Sequence, residues 1–175
     1  MELRYRDQGS GGRQDLTLYE PVAPAGYAIV GGYAQGNYHD ADGCALAVKP
    51  GPGAPANLLV PPADWQLAWT DKGSGALKDG SVWVAVPPDQ DHVCIGAVGQ
   101  AGYARPAVAG YACVHRCATR AIEATAPVWT EAGTGASQPL AIYRLHESNS
   151  FAVTPNKERP AQAIDIDPVA TCARH

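Results

Sequence analysis

The residues best placed to do chemistry are three acids that recur in one setting. Asp7 lies in Tyr5-Arg6-Asp7-Gln8-Gly9-Ser10-Gly11, Asp71 in Trp69-Thr70-Asp71-Lys72-Gly73-Ser74-Gly75, and Glu131 in Trp129-Thr130-Glu131-Ala132-Gly133-Thr134-Gly135. A carboxylate beside a glycine-rich turn and an aromatic ring can accept hydrogen bonds from sugar hydroxyls while the ring packs on the apolar sugar face. The same carboxylate can instead cap its own turn by accepting backbone N–H groups. The ligand candidates are therefore Trp69, Asp71, Lys72, Gly73 and Ser74 in the middle copy, with Asp7, Gly9, Glu131 and Gly133 in the others. Asp71 is the strongest single candidate, because Lys72 and Ser74 share its loop and Trp65 and Trp69 flank it.

Other groups form weaker constellations. His39-Asp40-Ala41-Asp42-Gly43 places oxygen donors at alternate positions, as a Ca²⁺ loop does, but Cys44-Ala45-Leu46-Ala47-Val48 supplies no closing acid, which favours a solvated turn. Asp165 and Asp167 alternate with Ile164 and Ile166, the pattern of an edge strand with its acids outward. If extended, Cys113, His115 and Cys117 share one face, the geometry of a Cys-His-Cys cluster or of plain packing. None of the histidines (His39, His92, His115, His146, His175) has a diagnostic catalytic partner, and no GxSxG, HExxH or GxxxxGK[ST] motif occurs. No cofactor or metal is implied and no catalytic residue is assigned.

The elements that must hold these residues follow from the repeat itself. The copies are offset by 64 and 60 residues, and fourteen residues after each leading aromatic comes a second one in a strand-like run: Tyr19, Trp83 and Tyr143. Third strand-like pieces follow at Tyr27–Val30, His92–Ile95 and Phe151–Val153, and fourth ones at Cys44–Val48, Tyr111–Val114 and Ala163–Ile166. Each period accommodates a four-stranded antiparallel sheet, and each Gly-Ser-Gly or Gly-Thr-Gly supplies the reversal of a hairpin. Three related sheets can bury their apolar faces around a common axis, with the six aromatics filling or bordering the shared core. The expectation is one all-β domain over residues 1–175, a β-prism with pseudo-threefold repeat units of about 1–60, 61–124 and 125–175. Val114–Glu123 is the one stretch with helical spacing, and it reads equally as a strand.

Composition agrees. The chain has 175 residues with 19 Gly and 15 Pro, and 17% are charged against about 25% in soluble proteins generally. The formal charge of −4 gives no basic face for nucleic acid. The start, Met1-Glu2-Leu3-Arg4, lacks the basic and apolar regions of a signal peptide, and no apolar run is long enough for a transmembrane helix. That leaves a cytoplasmic location, or export without a classical leader. The five cysteines fit small buried hydrophobes in a reducing compartment, or one or two bridges after export.

A family resemblance enters at the middle repeat. Leu46-Ala47-Val48-Lys49-Pro50, Trp65-Gln66-Leu67-Ala68-Trp69-Thr70-Asp71-Lys72-Gly73-Ser74-Gly75, Asp79-Gly80-Ser81-Val82-Trp83 and Val86-Pro87-Pro88 resemble vacuolar protein sorting-associated proteins of the Vps-sixty-two type. Gly26-Tyr27 through Cys113-Val114 carries the family pattern, with Ala85 where the family has Pro. The resemblance implies a prism-like module that binds an acidic lipid, a glycan or a protein partner, and it carries over no catalytic residue. A lipid ligand would need local cations, for which Lys72, Lys78, Arg105, Arg116 and Arg120 are the candidates. The competing expectations are a protein-interaction or toxin-component module and, third, a hydrolase on a β scaffold.

Overall fold

The structure is a computed structural model that describes residues 1–156, 160 and 162–172. Strands β1 (Glu2–Arg6), β2 (Thr17–Glu20), β3 (Ala28–Ile29), β4 (Tyr33–Gln35) and β5 (Ala47–Val48) come first. Then follow β6 (Leu59–Val60), β7 (Asp64–Thr70), β8 (Gly80–Val86), β9 (His92–Val93), β10 (Ala97–Ala101) and β11 (Cys113–His115). After a 3₁₀ turn at Arg116–Ala118 come β12 (Thr119–Ile122), β13 (Pro127–Thr130), β14 (Ala141–Arg144), β15 (Phe151–Thr154) and β16 (Ala163–Ile166). The protein is all-β with several small antiparallel sheets, and Val114–Glu123 forms strand, 3₁₀ turn and strand rather than a helix.

Each repeat motif opens a three-stranded sheet: β1-β2-β4, β7-β8-β10 and β13-β14-β15. All three carry a register break just before the leading aromatic, between Leu3 and Tyr5, Leu67 and Trp69, and Pro127 and Trp129. The bulge turns Tyr5, Trp69 and Trp129 opposite Leu18, Val82 and Ile142, and all six enter one core cluster with Leu16, Leu140 and Phe151. Trp69 is the centre of this cluster, edge-on to Tyr5 at 6.1 Å and to Trp129 at 5.5 Å between ring centroids.

Side-chain alternation sends the second set of aromatics elsewhere. Because Leu18, Val82 and Ile142 point inward, Tyr19, Trp83 and Tyr143 take the opposite face. There Tyr19 packs with Tyr33, Trp83 with Trp65 and Val98, and Tyr143 with Ala124. Only three of the six repeated aromatics fill the shared core.

The expected four-stranded sheets are three-stranded, because the proposed fourth strands pair elsewhere. β5 pairs with β3, β11 lies between β6 and β9, and β16 pairs with β12. These smaller sheets gather around a second cluster of Val30, Ile95, Val114 and Leu145. Tyr27–Val30 and His92–Ile95, expected as third hairpin strands, contribute to these smaller sheets as β3 and β9, and the true third strands β4 and β10 begin a few residues later. The cause is a glycine crossover. A Cβ on Gly31 would stand 2.8 Å from the Gly96 Cα, so only glycine lets the two backbones meet where the chain passes from the small sheet to the hairpin sheet. In the third repeat Ser150 occupies this junction, the connection is shorter, and Phe151–Val153 falls in β15 as expected.

One sequence reading that stood open, bridged or unbridged cysteines, falls to the bridges, and the outward placement of Asp165 is corrected. Cysteines are not simply buried hydrophobes: Cys94 bonds to Cys113 and Cys117 to Cys172, leaving Cys44 as an exposed free thiol. The first bridge joins the sheet region of β9 to β11, and the second ties the tail to the 3₁₀ turn. Both are pairings across the fold that linear spacing does not reveal. Asp165 is not on an outer face. It is buried and accepts the backbone N–H groups of Glu147 (2.8 Å) and Ser148 (3.2 Å). The β14–β15 turn thereby uses a strand acid as its cap.

Candidate functional site

Each repeated loop closes in the same way. The acid at its base exchanges a backbone bond with the start of the next strand: Asp7 N to Leu16 O at 3.1 Å, Asp71 N to Gly80 O at 3.1 Å, and Glu131 N to Leu140 O at 3.0 Å. The Ser or Thr three residues on donates its N–H back to the acid's carbonyl, at 2.9, 2.8 and 3.0 Å for Ser10, Ser74 and Thr134. Its hydroxyl oxygen accepts the N–H of Gly12, Ala76 or Ala136. Gly73 shows why the tripeptide needs glycine: its φ is +86°, and a Cβ there would meet the Gly135 carbonyl at 3.2 Å.

The loops are not separate tips. Arg13 N donates to Ala132 O at 3.1 Å, Leu77 N to Gln8 O at 2.8 Å, and Ser137 N to Lys72 O at 3.3 Å. These are equivalent atoms in the three copies, so the first loop bonds to the third, the second to the first and the third to the second. The ring closes on itself.

The acids face inward from this ring. Asp7 and Asp71 are buried; Asp7 Oδ1 accepts Leu16 N at 2.8 Å and Asp71 Oδ1 accepts Gly80 N at 3.0 Å. Tyr38 OH donates to Asp7 at 2.7 Å and Tyr103 OH to Asp71 at 2.9 Å, while Trp129 Nε1 donates to the other Asp7 oxygen at 2.9 Å. Burial and then the neighbouring carboxylate hold both tyrosine hydroxyls well above their usual pKa, so both stay protonated donors. Glu131 is likewise buried. Of the proposed ligand residues, Trp69 and Ser74 are buried, and Lys72, Gly73, Gly9 and Gly133 are exposed on the ring. Tyr38 and Tyr103 lie outside the repeat motif; their signal in the sequence is a nearly equal distance from Tyr5 and Trp69, in segments without strand periodicity.

The family model for vacuolar protein sorting-associated protein 62 matches residues 3–153. The chain belongs to the Vps62 family. Its fold also matches the crystal structure of GNIP1Aa from Chromobacterium piscinae, with a TM-score of 0.79 and 33% sequence identity over 91% of this chain. The Vps62-family chain spans 32% of the GNIP1Aa chain. No curated protein matches it.

The cations proposed for a lipid ligand in this Vps62-family chain fall into two groups. Arg105 forms an ion pair with Asp64 at 2.7 Å, Arg120 pairs with Glu147, and Arg116 donates to the Gln90 carbonyl. Lys72 lies 4.7 Å from the Tyr103 ring on the loop face, and Lys78 is exposed without an ion pair among the described residues. In the candidate calcium turn, Asp42 accepts the Tyr33 hydroxyl at 2.6 Å, and this bond leads the causes that lower its pKa. Among the described residues no group of three or more acids, histidines and cysteines could hold a metal ion. His115 Nδ1 lies 3.0 Å from Cys117 Sγ, but Cys113 and Cys117 are each bonded to a different cysteine, so neither offers a thiol for a Cys-His-Cys cluster, and His175 lies outside the described residues.

One buried histidine has a structural role with a pH signature. His92 Nδ1 meets Asp89 Oδ1 at 2.7 Å and Nε2 meets the Asn57 carbonyl at 2.8 Å. Burial alone would lower its pKa, but the Asn57 carbonyl and then the Asp89 carboxylate favour the imidazolium, and the net shift is upward. Stability from this site is therefore complete below the unfolded value of about 6.5 and is lost as pH rises through the higher folded value. Thermal melts should show a Tm that falls from about pH 6 to about pH 8, with a shallower fall in His92→Gln. Equal slopes in the two proteins would exclude this role for His92.

Proposed function

We propose that the chain is a non-catalytic binding module, a three-sided prism of hairpin sheets that recognises an anionic headgroup or glycan on the face made by its joined loops. One observation carries this reading: the repeated acids are withdrawn into the interior, and Arg13 and Lys72 are the charged residues left among the loop-tip residues 8–13, 72–77 and 132–137. These glycine-rich tips carry cations and no carboxylate, the exposed acids Asp15 and Asp79 lying just beyond them, and they suit an oxyanion better than neutral sugar hydroxyls. Vesicle sedimentation and a glycan array test it. Lys72→Ala should weaken binding about fivefold, the effect of one cation near an acidic surface, with the melting curve unchanged. Blank results in both assays would remove the reading.

A second reading, docking onto a protein partner, is supported by the GNIP1Aa match, in which this fold occupies about a third of a longer chain. Size-exclusion chromatography with candidate partner chains separates the two.

A further inference from the structure

The junction between the first and second repeats contains a cavity of about 280 Å³, lined in part by Leu3, Arg4, Tyr5, Arg6, Leu77 and Lys78. Among the described residues, three buried side-chain polar atoms have no hydrogen-bond partner: Arg4 Nε, Tyr5 OH and Arg6 Nε. They belong to three consecutive residues, and all three residues line this one cavity. Each group is able to donate. Tyr5 turns into the shared core, but Arg4 and Arg6 alternate with it on β1, and because folded proteins pair nearly all their buried polar groups, two unpartnered guanidinium nitrogens beside one cavity mark a place short of an acceptor.

The charge balance points the same way. Arg4 is engaged by Glu2 and Glu20, but Arg6 has only a long contact of 3.4 Å to the His39 carbonyl, and Lys78 has no ion pair among the described residues. With Arg4 neutralised by Glu2 and Glu20, the lining sets Arg6 and Lys78 against the single acid Asp79. Leu3 and Leu77 stand in solvent beside these cations, Leu77 with 74% of its surface exposed.

The internal repeat supplies a control. The positions equivalent to Arg4 are Ala68 and Val128, those equivalent to Arg6 are Thr70 and Thr130, and those equivalent to Lys78 are Gln14 and Gln138. A groove of about 260 Å³ between the second and third repeats includes Leu67 and Ala68, the equivalents of Leu3 and Arg4, and its lining is uncharged. The repeat therefore does not need cations at these positions, since both other copies carry uncharged residues there.

We infer that the junction between the first and second repeats is a binding site for the headgroup oxyanion of an acidic phospholipid. Arg6 and Lys78, supported by Arg4, would hold the oxyanion, with Leu3 and Leu77 entering the apolar edge of the bilayer. A cationic pocket rimmed by exposed leucines favours an anion on an apolar body, and this is the chemistry an acidic membrane surface presents. The inference rests on the anionic-headgroup reading above and adds a contact at this junction to the one on the loop ring.

The test is sedimentation with phosphatidylcholine vesicles made with and without phosphatidylserine, accompanied by calorimetric titration of soluble glycerol phosphate. Wild-type protein is expected to bind the acidic vesicles and not the neutral ones, and the affinity should fall as salt rises. Arg6→Gln and Lys78→Gln should each weaken it about fivefold, and together about twenty-five-fold. Lys78 is exposed, so its variant keeps the fold even if the Arg6 variant does not. Leu77→Ser should weaken vesicle binding while leaving any glycerol phosphate binding unchanged, which separates the membrane from a free phosphate as the source of the anion. Lys49→Gln, far along the chain near β5, is the control for general loss of charge. Unchanged vesicle binding in Lys78→Gln and the double variant overturns this site but leaves the anionic-headgroup reading standing. Wild-type binding to glycans alone also overturns the site, and binding to neither vesicles nor glycans removes both.

Discussion

Trp129→Ala should cost about 3–5 kcal/mol, a large share of the about 5–15 kcal/mol that holds a typical domain folded. The indole is fully buried and sits edge-on against Trp69 at 5.5 Å. Its Nε1 donates to Asp7 at 2.9 Å, and a β-bulge sets it opposite Ile142. Truncation therefore opens a cavity in the cluster that the three hairpin sheets share and leaves a buried carboxylate oxygen short of a donor. Relaxation cannot close the gap cheaply, because Trp69 is also held by its own bond to the Gln138 carbonyl. Trp83→Ala is the comparison: that ring lies on the other face of its sheet in a smaller cluster, so its loss should sit at or below the lower end of the range. Guanidinium denaturation gives both numbers. A loss below about 1 kcal/mol in Trp129→Ala would contradict its place in a common core.

What could be read in the sequence was what the repeat encodes locally. The aromatic, acid and Gly-Ser-Gly spacing locates the three hairpins, and Tyr19, Trp83 and Tyr143 fall in β2, β8 and β14 as expected. Features set by one unit meeting another were not legible. The glycine crossover at Gly31 and Gly96 looks like the interior of a strand until the two backbones are seen touching, so the third strands were placed too early. The fourth strands were found but given the wrong partners, because pairing of β16 with β12 joins residues from different repeats. In the candidate site, Lys72 and Lys78 were recognised as cations near a loop. Arg4 and Arg6 were not, because they read as the alternating polar face of β1, and only the neighbouring repeat turns that face into a cavity wall.

Asp7→Ala decides between the two readings of the repeated acid. Removal of this carboxylate leaves Leu16 N, Tyr38 OH and Trp129 Nε1 without their acceptor. An unsatisfied buried donor costs about 1–3 kcal/mol, and two of these three are buried, which puts the expected loss at about 3–5 kcal/mol once the part-buried tyrosine is added. Asp71→Ala abandons two recorded donors, Gly80 N and Tyr103 OH, and should cost less. Asp7→Asn keeps one acceptor oxygen but cannot serve all the donors around both original oxygens, so it should fall between wild type and Asp7→Ala. This order of stabilities, read from denaturant midpoints, is what a turn cap produces. A ligand-contacting acid gives the opposite result, with binding lost and midpoints unmoved. The burial of Asp7 beneath Tyr38 and Trp129 favours the cap, and Asp71, buried with its Oδ1 on Gly80 N, repeats that cap in the second loop.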